Sequence, residues 1–296
     1  MKYIDRNGNM IHQNDKQDKI LEVLYTRKAG RILLRQLIKP WVSNTIGAVM
    51  NNPCSTILIP SFVKKNKINM EEYESRRFTS YNDFFTRRLK EGQRMIDQQP
   101  DHLIAPCDGK LSVYTIDKNS RFLIKNTRYT LQQLLRSNKL ADFYENGILL
   151  LFRLTVDDYH RYCYIDHGSK SRNYHLKGVF HTVNPIANQV LPIYKENTRE
   201  FTIIDTNNFG RVLTMEVGAL MVGRIVNYHE EAIVARGEEK GRFEFGGSTI
   251  IVVLEKGRAV IDEDIRSNSR NGIETLVKLG ERIGTVASNE LKQEDV

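Results

Sequence analysis

Cysteine is scarce. Cys54, Cys107 and Cys163 are the only three, an odd number without metal-type CxxC spacing. A disulfide scaffold or a zinc site is therefore not expected, and a reducing cytoplasm fits better. A signal-like N-terminus is also lacking: MKYIDRNGNMIHQNDKQDK is polar throughout, so no secretory leader is expected. The stretch from Pro40 to Val63 carries no charge, but Ser43, Asn44, Thr45, Asn51, Asn52, Pro53 and Pro60 interrupt it. In lipid those residues would leave polar groups unmet, so no span is expected there. There is no βαβ alternation, no glycine-rich dinucleotide fingerprint, no internal repeat and no low-complexity tract. What is present is ordinary for a folded chain: 40% hydrophobic and 27% charged residues. The net charge of +8 favours an anionic partner, whether nucleic acid, an acidic membrane surface or a phosphorylated substrate. The interleaved aromatic and basic pattern of a nucleic-acid surface is missing, which leaves the other two.

Residues 17–96 read as helical. Within Arg31–Lys39, Ile32, Leu33, Leu34, Leu37 and Ile38 share a broad apolar face beside a stripe of Arg31, Arg35 and Lys39. Pro40 should end this helix, with Trp41 just beyond. Such a helix either packs on its own core or lies in a lipid interface with its cations on anionic headgroups; composition leaves both open. A second helix is predicted from Ser80, with Asp83 at capping-box spacing and Gly92 as a stop. From about Leu103 the texture changes to short strands, KLSVYTI, GILLLFRLTV, GRVLTMEVGALMVGRIV and STIIVVLEKG, separated by turn residues. The predicted fold is α+β: N-terminal amphipathic helices followed by a mainly antiparallel β core, a sandwich or a partly closed barrel. The boundary falls between a helical region at 1–98 and a β-rich domain at 99–296.

Four segments carry candidate chemistry. In KGRFEFGGSTIIVVL, Gly246 and Gly247 give a permissive backbone before Ser248, and Ile250–Leu254 reads as a buried strand. Gly-Gly-Ser-Thr is often no more than a loop entering a strand. Yet the unhindered Gly247 carbonyl also suits attack by the Ser248 hydroxyl, and the strand would hold the new chain end. In APCDGK, Asp108 is first of all a turn residue; alternatively it orients an imidazolium, as in carboxylate–His–Ser arrangements. FRLTVDDYHRYCYIDH places His160 in an apolar-aromatic pattern where its pKa is tunable. GVFHTVNPIA carries His181 ahead of an Asn-Pro turn.

Together and in this order these segments resemble the phosphatidylserine decarboxylase family. The matching pieces are NDFFTRRLKEG, PCDGK, DYHRY, FHTVNPIA, NFGRVLTMEVGALMVGRI and the run Arg236–Thr249. The resemblance implies a proenzyme that cleaves itself between Gly247 and Ser248 into a β chain (1–247) and an α chain (248–296). It implies pyruvate as cofactor, a covalent pyruvoyl group made from Ser248, and release of CO2 from phosphatidylserine to give phosphatidylethanolamine through a Schiff base. Implied partners are the phospholipid substrate, an anionic membrane surface and the two chains of one precursor. A homodimer is left open, and neither nucleic acid nor metal is expected. The implied location is peripheral, on the cytoplasmic side of the cell membrane.

Asp108 matches the family's charge-relay motif and His160 the first His of its YHRxH pattern, which is linked to decarboxylation. Where many members have the second His, this chain has Cys163, a different acid–base group with an ordinary pKa of about 8.5. His181, and after it His167, is the candidate for the missing imidazole. Arg153 and Arg161 could hold the lipid phosphate or carboxylate, although arginines at strand ends are usually solvated. Two alternatives remain: a pyruvoyl-dependent decarboxylase of a soluble amino acid, and an uncleaved, non-catalytic β-barrel relative.

Overall fold

A computed structural model describes residues 2–12, 23–119, 121–124, 127–184, 187, 192–219, 224–246 and 248–287. At its centre are strands Ser248–Leu254 and Ile148–Leu154, paired antiparallel from Ser248 opposite Leu154 to Leu254 opposite Ile148. Every residue of STIIVVL is buried, and its β-branched, apolar run explains why it takes a position covered on both faces. The sheet extends on one side through Arg211–Val217 and Arg199–Thr206 to Gly168–Lys170 and Ala232–Val234. On the other side come Gly109–Thr115, Glu274–Val277, Lys2–Ile4 and Met10–His12.

The pairing is antiparallel except where Lys2–Ile4 runs parallel to Glu274–Val277. Two three-stranded sheets and a hairpin pack around this open sheet. The α+β class with a mainly antiparallel core is thus observed, without closure into a barrel. The first strands are an addition: residues 2–12, read only as a polar terminus, join the sheet of the catalytic region.

The N-terminal helices are shorter and more broken than their sequence predicts. Helix Lys28–Leu37 ends before Pro40, which opens the next helix, Pro40–Asn51, and carries Trp41 into it. Helix Ile59–Asn66 follows a 3-10 turn, and residues 73–79 contain no helix. No single described helix is long and apolar enough to cross a membrane; the stretches Trp41–Asn51 and Pro53–Asn66 meet at an 83° bend. The helix predicted from Ser80 does start there, with the Ser80 hydroxyl accepting the Asp83 N–H at 3.1 Å. It stops at Phe85 rather than Gly92 because the Arg161 guanidinium takes the Thr86 carbonyl at 2.8 and 2.9 Å.

Candidate active site

Ser248 opens the central strand and is fully buried, yet its hydroxyl has no hydrogen-bond partner among the described residues. Leaving such a group unpaired costs about 1–3 kcal/mol. Ahead of it Gly246 sits at φ +126°, where a side chain would be strained, as the permissive reading of this turn requires. Gly247, the other half of the candidate cleavage pair, lies outside the described residues.

The segments singled out in the sequence converge on this strand end. Asn82 Oδ1 accepts the Phe245 N–H at 3.0 Å, and the Phe245 ring packs edge-on against Tyr81 and Phe85. Phe85 in turn lies against His160, with ring centroids 4.2 Å apart. The His160 carbonyl accepts the Phe243 N–H, tying the His160 segment to the strand that leads to Ser248. On the other side the register ends with Val217 opposite Thr249, which carries Gly218 alongside Ser248. The Phe180 ring covers that glycine so closely that a Cβ there would stand 2.9 Å from Phe180 Cε1. The Asn184-Pro185 turn expected after His181 falls partly outside the described residues.

His160 is buried, and its Nδ1 lies 3.0 Å from the Asp158 carbonyl. A carbonyl only accepts, so Nδ1 carries the hydrogen and Nε2 is the bare nitrogen. Nε2 is buried and has no partner among the described residues. Burial pulls the imidazole pKa down to about 4 against the opposing pull of Asp158. Burial would by itself raise the Asp158 carboxyl, but Lys110 Nζ at 2.7 and 2.9 Å outweighs it and holds that pKa at about 2. His160 is therefore neutral at pH 7, with Nε2 bare.

This has a consequence for stability. The unfolded chain takes up a proton near pH 6.5 that the folded one refuses until about pH 4. The contribution is complete above pH 6.5 and is lost as pH falls towards 4, amounting to at most about 3 kcal/mol. Urea midpoints measured between pH 7 and 4 in an uncut Ser248→Ala background should fall less steeply when His160→Gln is added. Equal slopes would contradict the buried neutral imidazole.

Asp108 is buried and accepts from Arg94 at 2.8 and 3.1 Å, Lys278 at 3.2 Å and the Leu279 N–H at 2.9 Å. Among the described residues no imidazole bonds it. It nevertheless sits at the same end of the sheet as Ser248: Gly109 pairs with Val277 and Lys110 with Arg153, which faces Thr249 on its other side. Two strand spacings separate the two positions, about 10 Å.

His181 is buried with Nδ1 at 3.2 Å from the Tyr25 hydroxyl and Nε2 at 3.3 Å from Glu196 Oε2; it makes no bond to Ser248. His167 is exposed beside Thr206, near the strand end that pairs Asp205 with Arg211, about 20 Å along the sheet from Ser248. Cys163 is buried, with its N–H on the Pro106 carbonyl, and burial pushes its thiol up to about 12. It is a protonated thiol at neutral pH and supplies no base.

Arg153 and Arg161, offered as holders of the lipid phosphate or carboxylate, are interior. Arg153 pairs with Glu274 at 2.6 and 3.0 Å, and Arg161 with the Thr86 carbonyl and Glu239, so neither is free for a lipid. The sequence reading missed Asn82 and Phe85, treated only as helix formers, although the NDFF piece of the resemblance contains both. It also missed a buried pair on the Ser248 face of the sheet, Lys240 Nζ with Glu216 Oε1 at 2.9 Å, which Asn227 Oδ1 joins at 2.6 Å. An open cavity of about 520 Å³, lined in part by Lys170, Asp205, Arg211 and Ile233, lies at the opposite sheet end and touches none of the four segments.

Comparison with known proteins agrees with this convergence. The profile of the family described as phosphatidylserine decarboxylase matches residues 81–285. Phosphatidylserine decarboxylase proenzyme 2 of Clostridium acetobutylicum is 46% identical over 265 residues, covering 89% of this chain and 91% of the relative. The phosphatidylserine decarboxylase proenzyme of Clostridium tetani is 40% identical, covering 90% and 92%. That of Fusobacterium nucleatum is 37% identical, covering 96% and 97%. Similarity of this extent reaches beyond the serine turn to nearly the whole length of each relative, and on it the chain belongs to the phosphatidylserine decarboxylase family.

Proposed function

We propose that this chain is a proenzyme that cuts itself between Gly247 and Ser248 and then decarboxylates phosphatidylserine to phosphatidylethanolamine at a pyruvoyl group derived from Ser248. The observation that carries this is the buried Ser248 hydroxyl, without a partner among the described residues, at the head of the central strand and two residues after Gly246 at φ +126°. The residues present fit such a group: among the described residues the hydroxyl makes no hydrogen bond that conversion would break, and Ile250–Leu254 are fully buried. At about 1.5–3 kcal/mol per side chain, those five residues contribute on the order of 10 kcal/mol to keeping the shorter chain in place once it is cut.

In maturation the Ser248 Oγ attacks the Gly247 carbonyl carbon, the peptide C–N bond breaks, and an ester and a free amine result. Loss of the Ser248 α-proton then expels the Gly247 carboxylate, and hydrolysis of the remaining enamine releases ammonia and leaves a ketone. No oxidant is consumed. The ketone supplies an electron sink for the pair left behind when CO2 departs. His160 Nε2 passes on the one proton, drawn from solvent, that replaces the departing CO2 on the substrate α-carbon. Asp158 serves through its backbone, holding the imidazole in that tautomer.

The exposed apolar residues Ile32, Leu33 and Trp41 beside exposed Arg27, Lys28, Arg31, Arg35 and Lys39 support docking on an anionic bilayer. The location proposed is peripheral, on the cytoplasmic side of the cell membrane. Ile32→Glu combined with Trp41→Glu is expected to weaken cosedimentation with phosphatidylglycerol vesicles about 10- to 100-fold while sparing turnover in detergent. Binding at wild-type strength would remove this surface from the account.

The enzymatic reading is tested by incubating the purified protein with carboxyl-labelled phosphatidylserine in detergent micelles. Labelled CO2 and phosphatidylethanolamine are expected in equal amounts. CO2 from free serine or another soluble amino acid, and none from the lipid, would replace this reading with the soluble-substrate one.

A further inference from the structure

A chain of hydrogen bonds that the chemistry above does not use runs from the N-terminal helix to the strand end beside Ser248. Tyr25, fully buried just ahead of helix Lys28–Leu37, accepts the Thr182 N–H at 3.1 Å. Its hydroxyl hydrogen is then free for His181 Nδ1 at 3.2 Å, which leaves the Nε2 hydrogen directed at Glu196 Oε2 at 3.3 Å. At the far end of the same helix the Ile38 carbonyl accepts the Phe180 N–H at 3.0 Å. A residue three positions ahead of the basic, amphipathic helix and the residue that caps its C-terminus are thus both tied to one three-residue segment, Phe180–Thr182.

That segment is in turn fastened to the catalytic strand pair. The His181 N–H donates to Asn197 Oδ1, and Asn197 Nδ2 donates to the carbonyls of both His181 and Gly218, each at 2.8 Å. Asn197 is fully buried, so these bonds exchange with no solvent. Gly218 lies alongside Ser248, and the Phe180 ring sits directly on it. A shift of the helix along its axis therefore moves the Phe180 ring and the Gly218 carbonyl, one residue beyond the last registered pair, Val217 opposite Thr249.

We propose that Tyr25, His181 and Asn197 are positioning residues that couple seating of the N-terminal helix on a bilayer to the geometry of the strand end beside Ser248, so that turnover is faster on a membrane than on dispersed substrate. This rests on the lipid-docking reading given above. A bilayer acts on the site only in so far as it binds one helix position better than another, and couplings of this kind are worth about 5- to 150-fold. A purely structural tether would affect stability but would leave the ratio of the two activities alone.

The test compares kcat of the full-length, self-cleaved protein on vesicles of phosphatidylserine and phosphatidylglycerol with kcat on phosphatidylserine in nonionic detergent micelles. The wild type should favour vesicles at least about fivefold. Tyr25→Phe, which keeps the ring and removes the hydroxyl, should keep its micelle kcat and its sedimentation with vesicles but lose that preference. Glu196→Gln, at the half-exposed end of the same bridge, should lose part of it and serves if Tyr25→Phe does not fold. An unchanged ratio in the variants, a parallel fall of both activities, or a wild type without vesicle preference would overturn the coupling. A wild type inactive on phosphatidylserine in either form would instead overturn the enzymatic reading itself.

Discussion

Ser248→Ala is expected to give one uncut chain of 34.3 kDa, no decarboxylation, and a folded state at least as stable as the wild-type precursor. Loss of function follows because the same residue supplies the nucleophile for cleavage and the carbon skeleton of the ketone; no neighbouring side chain can replace both. Retained stability follows from the burial of Oγ without a partner, since deleting it removes a desolvated polar atom rather than a bond. The gain is at most about 1–3 kcal/mol, or roughly 2–10 °C in melting temperature for a chain of this size. Melting measured against another uncut variant checks this sign. A melting point several degrees lower would mean that the hydroxyl has a structural partner, and cleavage in the variant would place the scissile bond elsewhere.

His160→Ala should separate the two activities. Self-cleavage is expected to proceed, while turnover of phosphatidylserine falls by about 10²- to 10⁴-fold, the usual worth of a positioned acid–base group. The reason is geometric: Nδ1–H is committed to the Asp158 carbonyl, Phe85 fixes the ring plane, and Nε2 alone can exchange protons with substrate. Because burial pulls the His160 pKa down to about 4 in the substrate-free protein, kcat/KM should show no His160 limb at neutral pH and should fall only as acid protonates Nε2. Cleavage and turnover lost together would make His160 the maturation base, a role that neither Cys163 nor exposed His167 can fill.

The parts of the fold that depend on local pattern were legible in the sequence. Ile148–Phe152 and Ile250–Leu254 announce themselves as apolar runs, the second rich in β-branched residues, and Gly246 as a turn whose φ only glycine takes easily. What escaped depends on partners distant in sequence. Helix Tyr81–Phe85 is cut short by a guanidinium 75 residues away, from Arg161 to Thr86. Arg153 looks like a solvated strand end until Glu274 arrives from 121 residues further along the chain. Asp108 offered the pattern of an imidazole partner, and the fold surrounds it with Arg94 and Lys278 instead. The gathering of NDFF, PCDG, DYHR and FHTV at one strand end follows from sheet register, which residue periodicity does not encode over such separations.

The central claim is that a backbone junction becomes a ketone, and intact mass spectrometry before and after treatment with a carbonyl-reactive hydroxylamine reads it directly. Two polypeptides are expected, residues 1–247 and residues 248–296, with only the shorter gaining the mass of the adduct. A fully active preparation consisting of one unmodified polypeptide of 34.3 kDa would contradict the account at its root.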